Sequence, residues 1–116
     1  MPHFFIKKMP VISQFPGVTH RFIINKETGA TGVQLAEVVL QPGAALPLHY
    51  HDVDDAMFVV SGKGKFIEGD REVAVEPDMA LLAPAMTKHT LRNDGDQPLK
   101  IIFVWPTVNE VKRFLV

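Results

Sequence analysis

Three histidines and one aspartate stand at spacings that could build a metal site. His49 and His51 are separated by one residue, and Asp55 follows four residues after the second histidine. Side chains alternate between the two faces of an extended strand, so the imidazoles of a His-X-His pair point to the same side. Imidazole suits zinc, copper, iron and nickel, and a carboxylate also suits manganese. Because His89 lies in a later strand-like segment, the chain offers three histidines and one carboxylate to a single ion.

A His-X-His pair also occurs without a metal, as two solvated loop residues or as a pair satisfied by hydrogen bonds. The neighbours of this pair favour metal binding, since Asp55 is close, the turn Pro42-Gly43 precedes it, and an alternating apolar strand follows. His20 has no partner at ligand spacing, so we expect it to be a surface or hydrogen-bonded histidine.

Length and composition exclude several other classes of function. The 116 residues suit one domain, and 47% hydrophobic with 22% charged residues is an ordinary globular composition. The absence of cysteine excludes thiolate nucleophiles, thiolate-bound zinc and redox switching. A net charge of -1 gives no reason to bind nucleic acid or an anionic membrane. Since no apolar run is long enough for a signal peptide or a membrane span, the sequence predicts a cytoplasmic protein.

The elements that must position these residues are short strands separated by Gly and Pro turns, which predicts an all-β barrel or sandwich. The predicted strands cover residues 20–25, 32–41, 55–61, 65–68, 71–75, 78–83, 87–93 and 99–105. Residues 107–115 have helical apolar spacing at Val108, Val111, Phe114 and Leu115, with Thr107 as N-cap and Glu110 three residues on. This pattern predicts a short amphipathic C-terminal helix on the outside of the barrel.

Two segments of this chain resemble the cupin motifs. The first fit consists of Gly43, His49, His51, Asp55 and Gly62, and the second of Pro84, His89 and Asn93. The resemblance spans roughly residues 33–104, and two motifs in the right order make it specific. The chain departs from the family pattern in having Asp55 where glutamate is usual, and Asp78 and Met86 where glycine is usual.

The resemblance implies a small single-domain cupin: a double-stranded β-helix, or jelly-roll barrel, within residues 1–116 and with a core barrel of about residues 18–105. It implies that His49, His51, Asp55 and His89 hold one divalent transition metal ion, which could be iron, manganese, nickel, copper or zinc. Residues 1–17 form a proline-broken apolar arm that either caps its own barrel or packs on a second subunit. Because the second arrangement is common in small cupins, we predict a homodimer.

Strand parity then predicts which side chains line the interior beside the metal. Met57 and Val59 share a face with Asp55, Leu91 and Asn93 share a face with His89, and Leu99, Ile101, Phe103 and Trp105 point inward from the last long strand. We predict a substrate pocket formed by Met57, Val59, Leu91, Asn93 and Phe103, with Asn93 as a candidate for orienting substrate. A register slip of one residue would reverse these faces.

The leading functional hypothesis is a metal-dependent enzyme acting on a small organic molecule, with no catalytic residue assigned beyond the metal ligands. By family analogy, dioxygenase chemistry stands slightly ahead of isomerase, cyclase or decarboxylase chemistry. The scarcity of acid–base residues near the site argues against sugar-isomerase chemistry. The alternatives are a non-catalytic module that binds a small ligand or metal, and a structural cupin that has lost its metal.

Overall fold

The computed structural model describes residues 1–109 and the backbone of residues 112–114. Within these residues one short 3-10 helix, Ile6–Lys8, precedes eleven strands. The strands are β1 Ile12–Phe15, β2 Val18–Ile24, β3 Gln34–Leu40, β4 His49–His51, β5 Asp55–Ser61, β6 Gly64–Glu68, β7 Arg71–Val75, β8 Ala80–Ala83, β9 Thr90–Arg92, β10 Leu99–Trp105 and β11 Lys112–Phe114. The predicted all-β class is confirmed, and no described helix is long and apolar enough to cross a membrane.

The strands form two layers that enclose the core. One layer is a six-stranded antiparallel sheet in the order β1-β2-β3-β10-β5-β8. The other contains the sheet β7-β6-β9 and the pair β11-β4, which are joined where His49 and His89 exchange backbone hydrogen bonds of 3.1 and 2.8 Å. This arrangement is the double-stranded β-helix that the sequence resemblance implies.

Alternation along the central strands decides which side chains enter the core. β10 is rich in β-branched and aromatic residues, which favour strands, and every second residue from Leu99 to Trp105 is buried. β5 buries Asp55, Met57 and Val59 in the same way. The core cluster consists of Val18, Ala36, Val38, Leu40, Leu46, Met57, Val59, Phe66, Val75, Leu81, Ala83, Leu91, Leu99, Ile101, Phe103 and Trp105. The inward faces predicted for β5 and β10 are therefore confirmed.

Four positions at which the cupin pattern has glycine take the left-handed backbone conformation. The motif glycines Gly43 and Gly62 have φ of 85° and 87°, and a Cβ at Gly62 would collide with the carbonyl oxygen of Pro98. Asp78 and Met86 have φ of 73° and 69°, and these are the two positions at which cupin sequences usually carry glycine. The chain thus keeps the left-handed turns even where it has replaced glycine.

The predicted C-terminal helix is wrong. Lys112–Phe114 form a strand that pairs antiparallel with β4, placing Lys112 opposite His51 and Phe114 opposite His49. The unpaired backbone groups of β4 provide a ready template for another strand, and this tertiary pairing overrides the helical spacing. Thr107 accepts a hydrogen bond from the backbone N–H of Asn109 at 3.0 Å, but no helix follows within the described residues. The expectations for Glu110, Val111 and Leu115 lie outside those residues.

The N-terminal arm is partly regular. Residues Ile12–Phe15 pair with β2, which adds a strand to the edge of the large sheet. Before it, Phe4, Phe5 and Ile6 line a groove of about 500 Å³ together with Arg21, Glu37, Val60, Lys100 and Ile102 on the outer face of that sheet. The arm therefore contacts its own barrel, while Phe5 is still 61% exposed.

Candidate metal centre

The four predicted ligands come together inside the barrel. β4 projects His49 and His51 inward, β5 begins at Asp55, and His89 lies just before β9, where it forms the bridge to His49. One ligand atom from each of the four residues lies within 4.8 Å of all the others. All four side chains are buried, and Asp55 has no exposed surface at all. This is the geometry of a mononuclear site with three imidazoles and one carboxylate.

Asp55 lies between two of the histidines. Its Oδ2 atom is 3.4 Å from Nε2 of His51 and 3.2 Å from Nε2 of His89. The ring of His49 completes the cluster, with centroids 5.0 Å from the His51 ring and 4.4 Å from the His89 ring. The shorter Asp55 side chain, where cupins usually have glutamate, therefore still reaches the imidazoles.

Backbone carbonyls orient two of the imidazoles. Nδ1 of His49 lies 2.7 Å from the carbonyl oxygen of Pro47, and Nδ1 of His89 lies 2.8 Å from that of Thr87. Because a carbonyl can only accept, each Nδ1 carries the proton and donates it. In the neutral ring the lone pair is then on Nε2, the atom through which these histidines would bind a metal ion.

The pKa of Asp55 is set by two opposing effects. Burial raises the pKa of the carboxyl group, because a low-dielectric interior disfavours the charged form. Together, the imidazoles of His51 and His89 beside the carboxyl group lower its pKa by more, so the pKa lies below its ordinary value. The carboxylate is therefore ionised at neutral pH, as a metal ligand must be.

Two atoms of the cluster are buried without a hydrogen-bond partner among the described residues: Nε2 of His51 and Oδ1 of Asp55. Leaving a buried polar atom unsatisfied costs about 1–3 kcal/mol. Both atoms are Lewis bases, and a divalent metal ion would satisfy them at once. The donor set therefore fits the transition metal that the sequence predicts.

The apolar members of the predicted pocket line the interior. Met57, Val59, Leu91 and Phe103 are all at most 3% exposed. Asn93 is also buried, but its amide N–H groups donate to the carbonyl oxygens of Leu40 and Gln97 at 2.9 and 2.8 Å, and its Oδ1 accepts from the backbone N–H of Gly95. Since both donors are engaged, Asn93 holds the backbone of neighbouring loops and has no N–H left for a substrate.

The folded chain shows the surroundings of two further residues. His20 is buried, stacking on Phe22 and meeting the edge of Phe15, and it lies outside the metal group. Trp105 was not predicted as a site residue, yet its ring centroid lies 5.7 Å from that of His51. The available signal was strand parity, because Trp105 follows Phe103 by two residues.

The family model for the cupin domain matches residues 36–105. The chain belongs to the cupin family. Two proteins illustrate its relationships. The tetracenomycin polyketide synthase protein TcmJ of Streptomyces glaucescens is 28% identical over 88 residues, which is 75% of this chain and 59% of that protein. The polyketide cyclase RemF of Streptomyces resistomycificus superposes with a TM-score of 0.87 at 24% identity, over 100% of this chain and 86% of that one.

A third protein supports the fold alone. An uncharacterized conserved protein with a double-stranded β-helix domain, from Klebsiella pneumoniae, superposes with a TM-score of 0.83 at 15% identity, over 100% of this chain and 98% of that one. At such identities the similarity shows that this cupin shares the fold. The chemistry has to be argued from the residues of the site.

Proposed function

We propose that this cupin is a metal-dependent enzyme that binds a small, oxygen-rich organic molecule at the His49, His51, Asp55 and His89 centre. The observation that carries the proposal is that four ligand atoms gather within 4.8 Å of one another in a buried site. A buried carboxylate with an unpartnered oxygen is costly in a merely structural core, and ligand binding explains its presence.

A divalent metal ion bound there would supply Lewis acidity that polarises a carbonyl and stabilises an enolate. The residues of the chain prepare the site for it. Pro47 and Thr87 fix the rings of His49 and His89 through their carbonyl groups. Met57 and Phe103 form part of an apolar wall that excludes bulk water and strengthens electrostatic interactions within the site.

The shortage of other acid–base groups favours chemistry centred on the metal. Within the part of the chain that the structure describes, the buried polar residues include no lysine, arginine or tyrosine. Buried Glu37 lies 3.8 Å from Arg21 and 3.6 Å from Lys100, so its charge is engaged on the outer face of the large sheet. The metal ligands are thus the principal groups available to bind and move protons at the centre.

Within this class we place cyclisation of a polyketide-like molecule ahead of dioxygenase chemistry, which family analogy alone had favoured. The support is the similarity to a polyketide synthase protein and to a polyketide cyclase. The chain spans 59% of the length of TcmJ, so the comparison bears on only part of that protein. Dioxygenase chemistry is the second candidate, because a centre with three histidines and one carboxylate leaves positions open for oxygen.

Oxygen dependence separates the two candidates. Zinc-, manganese- and iron(II)-loaded protein would be incubated with a linear triketone, under air and under nitrogen, and the products weighed by mass spectrometry. A cyclase joins the terminal methyl carbon to the far carbonyl carbon and releases one water, at equal rates under both gases. A dioxygenase consumes one O₂ and yields products that together carry two more oxygen atoms than the triketone, under air alone.

The metal-free protein and the His49→Ala variant are the controls, and neither should turn the triketone over. Turnover that persists in both would contradict the proposal. Metal binding without turnover by any loaded form would favour the alternative, a non-catalytic module that binds a small ligand or metal.

The cytoplasmic location stays a prediction, and we propose that the protein is a homodimer. It is supported by exposed apolar side chains on the outer face of the large sheet, where Phe58, Val60 and Leu82 are 45%, 41% and 56% exposed. Light scattering should give twice the chain mass for the wild type and the single mass for a Phe58→Asp variant. A monomeric wild type at micromolar concentration would contradict the homodimer.

A further inference from the structure

Trp105 is the one tryptophan of the chain and lies at the end of β10. Its side chain is 6% exposed and faces the interior, as Phe103 does two residues earlier. The ring contacts the wall of the metal centre: its centroid is 5.7 Å from that of His51 and 5.6 Å from that of Phe103. An indole therefore borders one of the metal ligands.

The indole N–H of Trp105 has no hydrogen-bond acceptor among the described residues, although its nitrogen is fully buried. Buried tryptophan N–H groups usually have a partner. A metal ion cannot fill this role, because the indole nitrogen is a donor only. The nearby orphan atoms of His51 and Asp55 would be satisfied by the metal, whereas the N–H of Trp105, which borders the same centre, would still lack an acceptor among the described residues.

We propose that the indole N–H of Trp105 donates a hydrogen bond to an oxygen atom of the small molecule held at the metal centre. Trp105 is then a specificity-determining residue that selects ligands with an accepting oxygen beside the oxygen that meets the metal. This inference rests on the proposed function of the centre. It also narrows the ligand class to molecules with two neighbouring oxygens, such as hydroxamates, enolised diketones and carboxylates.

Ligands with and without an accepting oxygen should differ in how they affect the buried N–H of Trp105. A ligand with an acceptor satisfies the buried N–H, whereas a ligand without one leaves it orphaned in a dry site. Removing the donor should therefore weaken ligands of the first kind and leave those of the second kind unchanged. A purely structural tryptophan would not make this distinction.

Because the chain has a single tryptophan, its indole gives a single resonance in a proton–nitrogen correlation spectrum. The experiment adds zinc to the ¹⁵N-labelled wild type, then acetohydroxamate, which offers two oxygens, or imidazole, which offers none. We expect acetohydroxamate to move the indole proton downfield and slow its exchange with water. Imidazole should bind the zinc without the downfield shift.

Calorimetry on variants supplies the second measurement. Trp105→Phe should weaken acetohydroxamate binding to the zinc form roughly tenfold, the effect of one buried hydrogen bond. Zinc and imidazole affinities should stay within about twofold. Ile101→Val, which perturbs the packing of a buried residue on the same strand without removing a donor, is the matched control and should bind both probes like the wild type.

The outcomes separate this inference from the function on which it rests. If the wild type binds zinc and acetohydroxamate but the indole resonance does not move, the role of Trp105 is overturned while the metal centre stands. Equal losses in Trp105→Phe and Ile101→Val would also overturn it, since packing would then explain the effect. A wild type that binds no zinc would overturn both.

Discussion

Asn93 and Asp55 are two buried polar residues of the same barrel with opposite hydrogen-bonding environments. Neither has any exposed surface. Asn93 gives both its N–H groups to backbone carbonyls and receives a backbone N–H on Oδ1. Asp55 has an oxygen that meets no donor among the described residues. Asn93 lies at one end of a paired segment, where it pairs with residues 43 and 44. At the other end His89 pairs with His49, and Nε2 of His89 lies 3.2 Å from Oδ2 of Asp55.

The difference separates structure from function. At the Asn93 end, the chain itself satisfies the polar group, so the side chain stabilises the fold and needs no ligand. At the Asp55 end, the carboxylate oxygen has no donor among the described residues, and a bound metal ion would satisfy it. Both residues belong to cupin motifs, so membership of a motif does not tell which role a residue has.

Replacing Asn93 by alanine should have the largest effect on stability. The change removes two donors and one acceptor from buried backbone groups, and we expect the free energy of unfolding to fall by about 3 kcal/mol. Urea unfolding measures this directly. Zinc affinity of the folded variant should be unchanged. A loss below about 1 kcal/mol, the value of one ordinary hydrogen bond, would contradict the structural role.

Metal binding at the Asp55 end should raise the free energy of unfolding by slightly less than the amount that the Asn93 change removes. Zinc at a free concentration of about 100 times its Kd should raise the free energy of unfolding by about 2.7 kcal/mol, because it binds the folded state. The readout is the melting temperature with and without a chelator. His89→Ala should abolish the increase, and His3→Ala, which removes an exposed histidine, should keep it. A chelator-insensitive wild type would indicate a structural cupin without metal.

The sequence predicted most of the strands and the four residues of the cluster because their signals are local. β5 and β10 combine strict alternation with turn residues at both ends, and the structure gives them the predicted bounds. β11 could not be predicted in this way, since its partner β4 is distant in the sequence and its own spacing is helical. Likewise, parity placed Asn93 inward, but the carbonyl groups that engage its amide become visible only in the folded chain.

Acid should reveal the charge of Asp55 in the metal-free protein. The pKa of this carboxyl group is lowered in the folded state, so its ionisation stabilises the fold at every pH above the unfolded value of about 3.9. That contribution is lost as the pH falls through the lower, folded pKa. Wild type should therefore exceed Asp55→Asn in unfolding free energy at pH 6, and the difference should shrink below about pH 4. A difference in unfolding free energy that does not change with pH would show that the charge of Asp55 does not contribute to stability.

The smallest expected effect concerns the left-handed turn beside the metal centre. The backbone N–H of Met86 donates to the carbonyl of His51 at 2.8 Å, and its side chain is 61% exposed. Met86→Gly should relieve backbone strain of about 1–2 kcal/mol. The greater conformational entropy of glycine in the unfolded chain offsets part of this, so the free energy of unfolding should rise by about 0.5 kcal/mol. Ala85→Gly, whose φ is not positive, should instead lose stability. Equal losses in both variants would show that the turn is unstrained.

The metal content of the purified, untagged protein tests the central claim most directly. Elemental analysis of the wild type, His49→Ala and His3→Ala would be compared after identical reconstitution and desalting. The account predicts about one equivalent of a transition metal in the wild type and in His3→Ala, and none in His49→Ala. No metal in the wild type, or an unchanged content in His49→Ala, would contradict it.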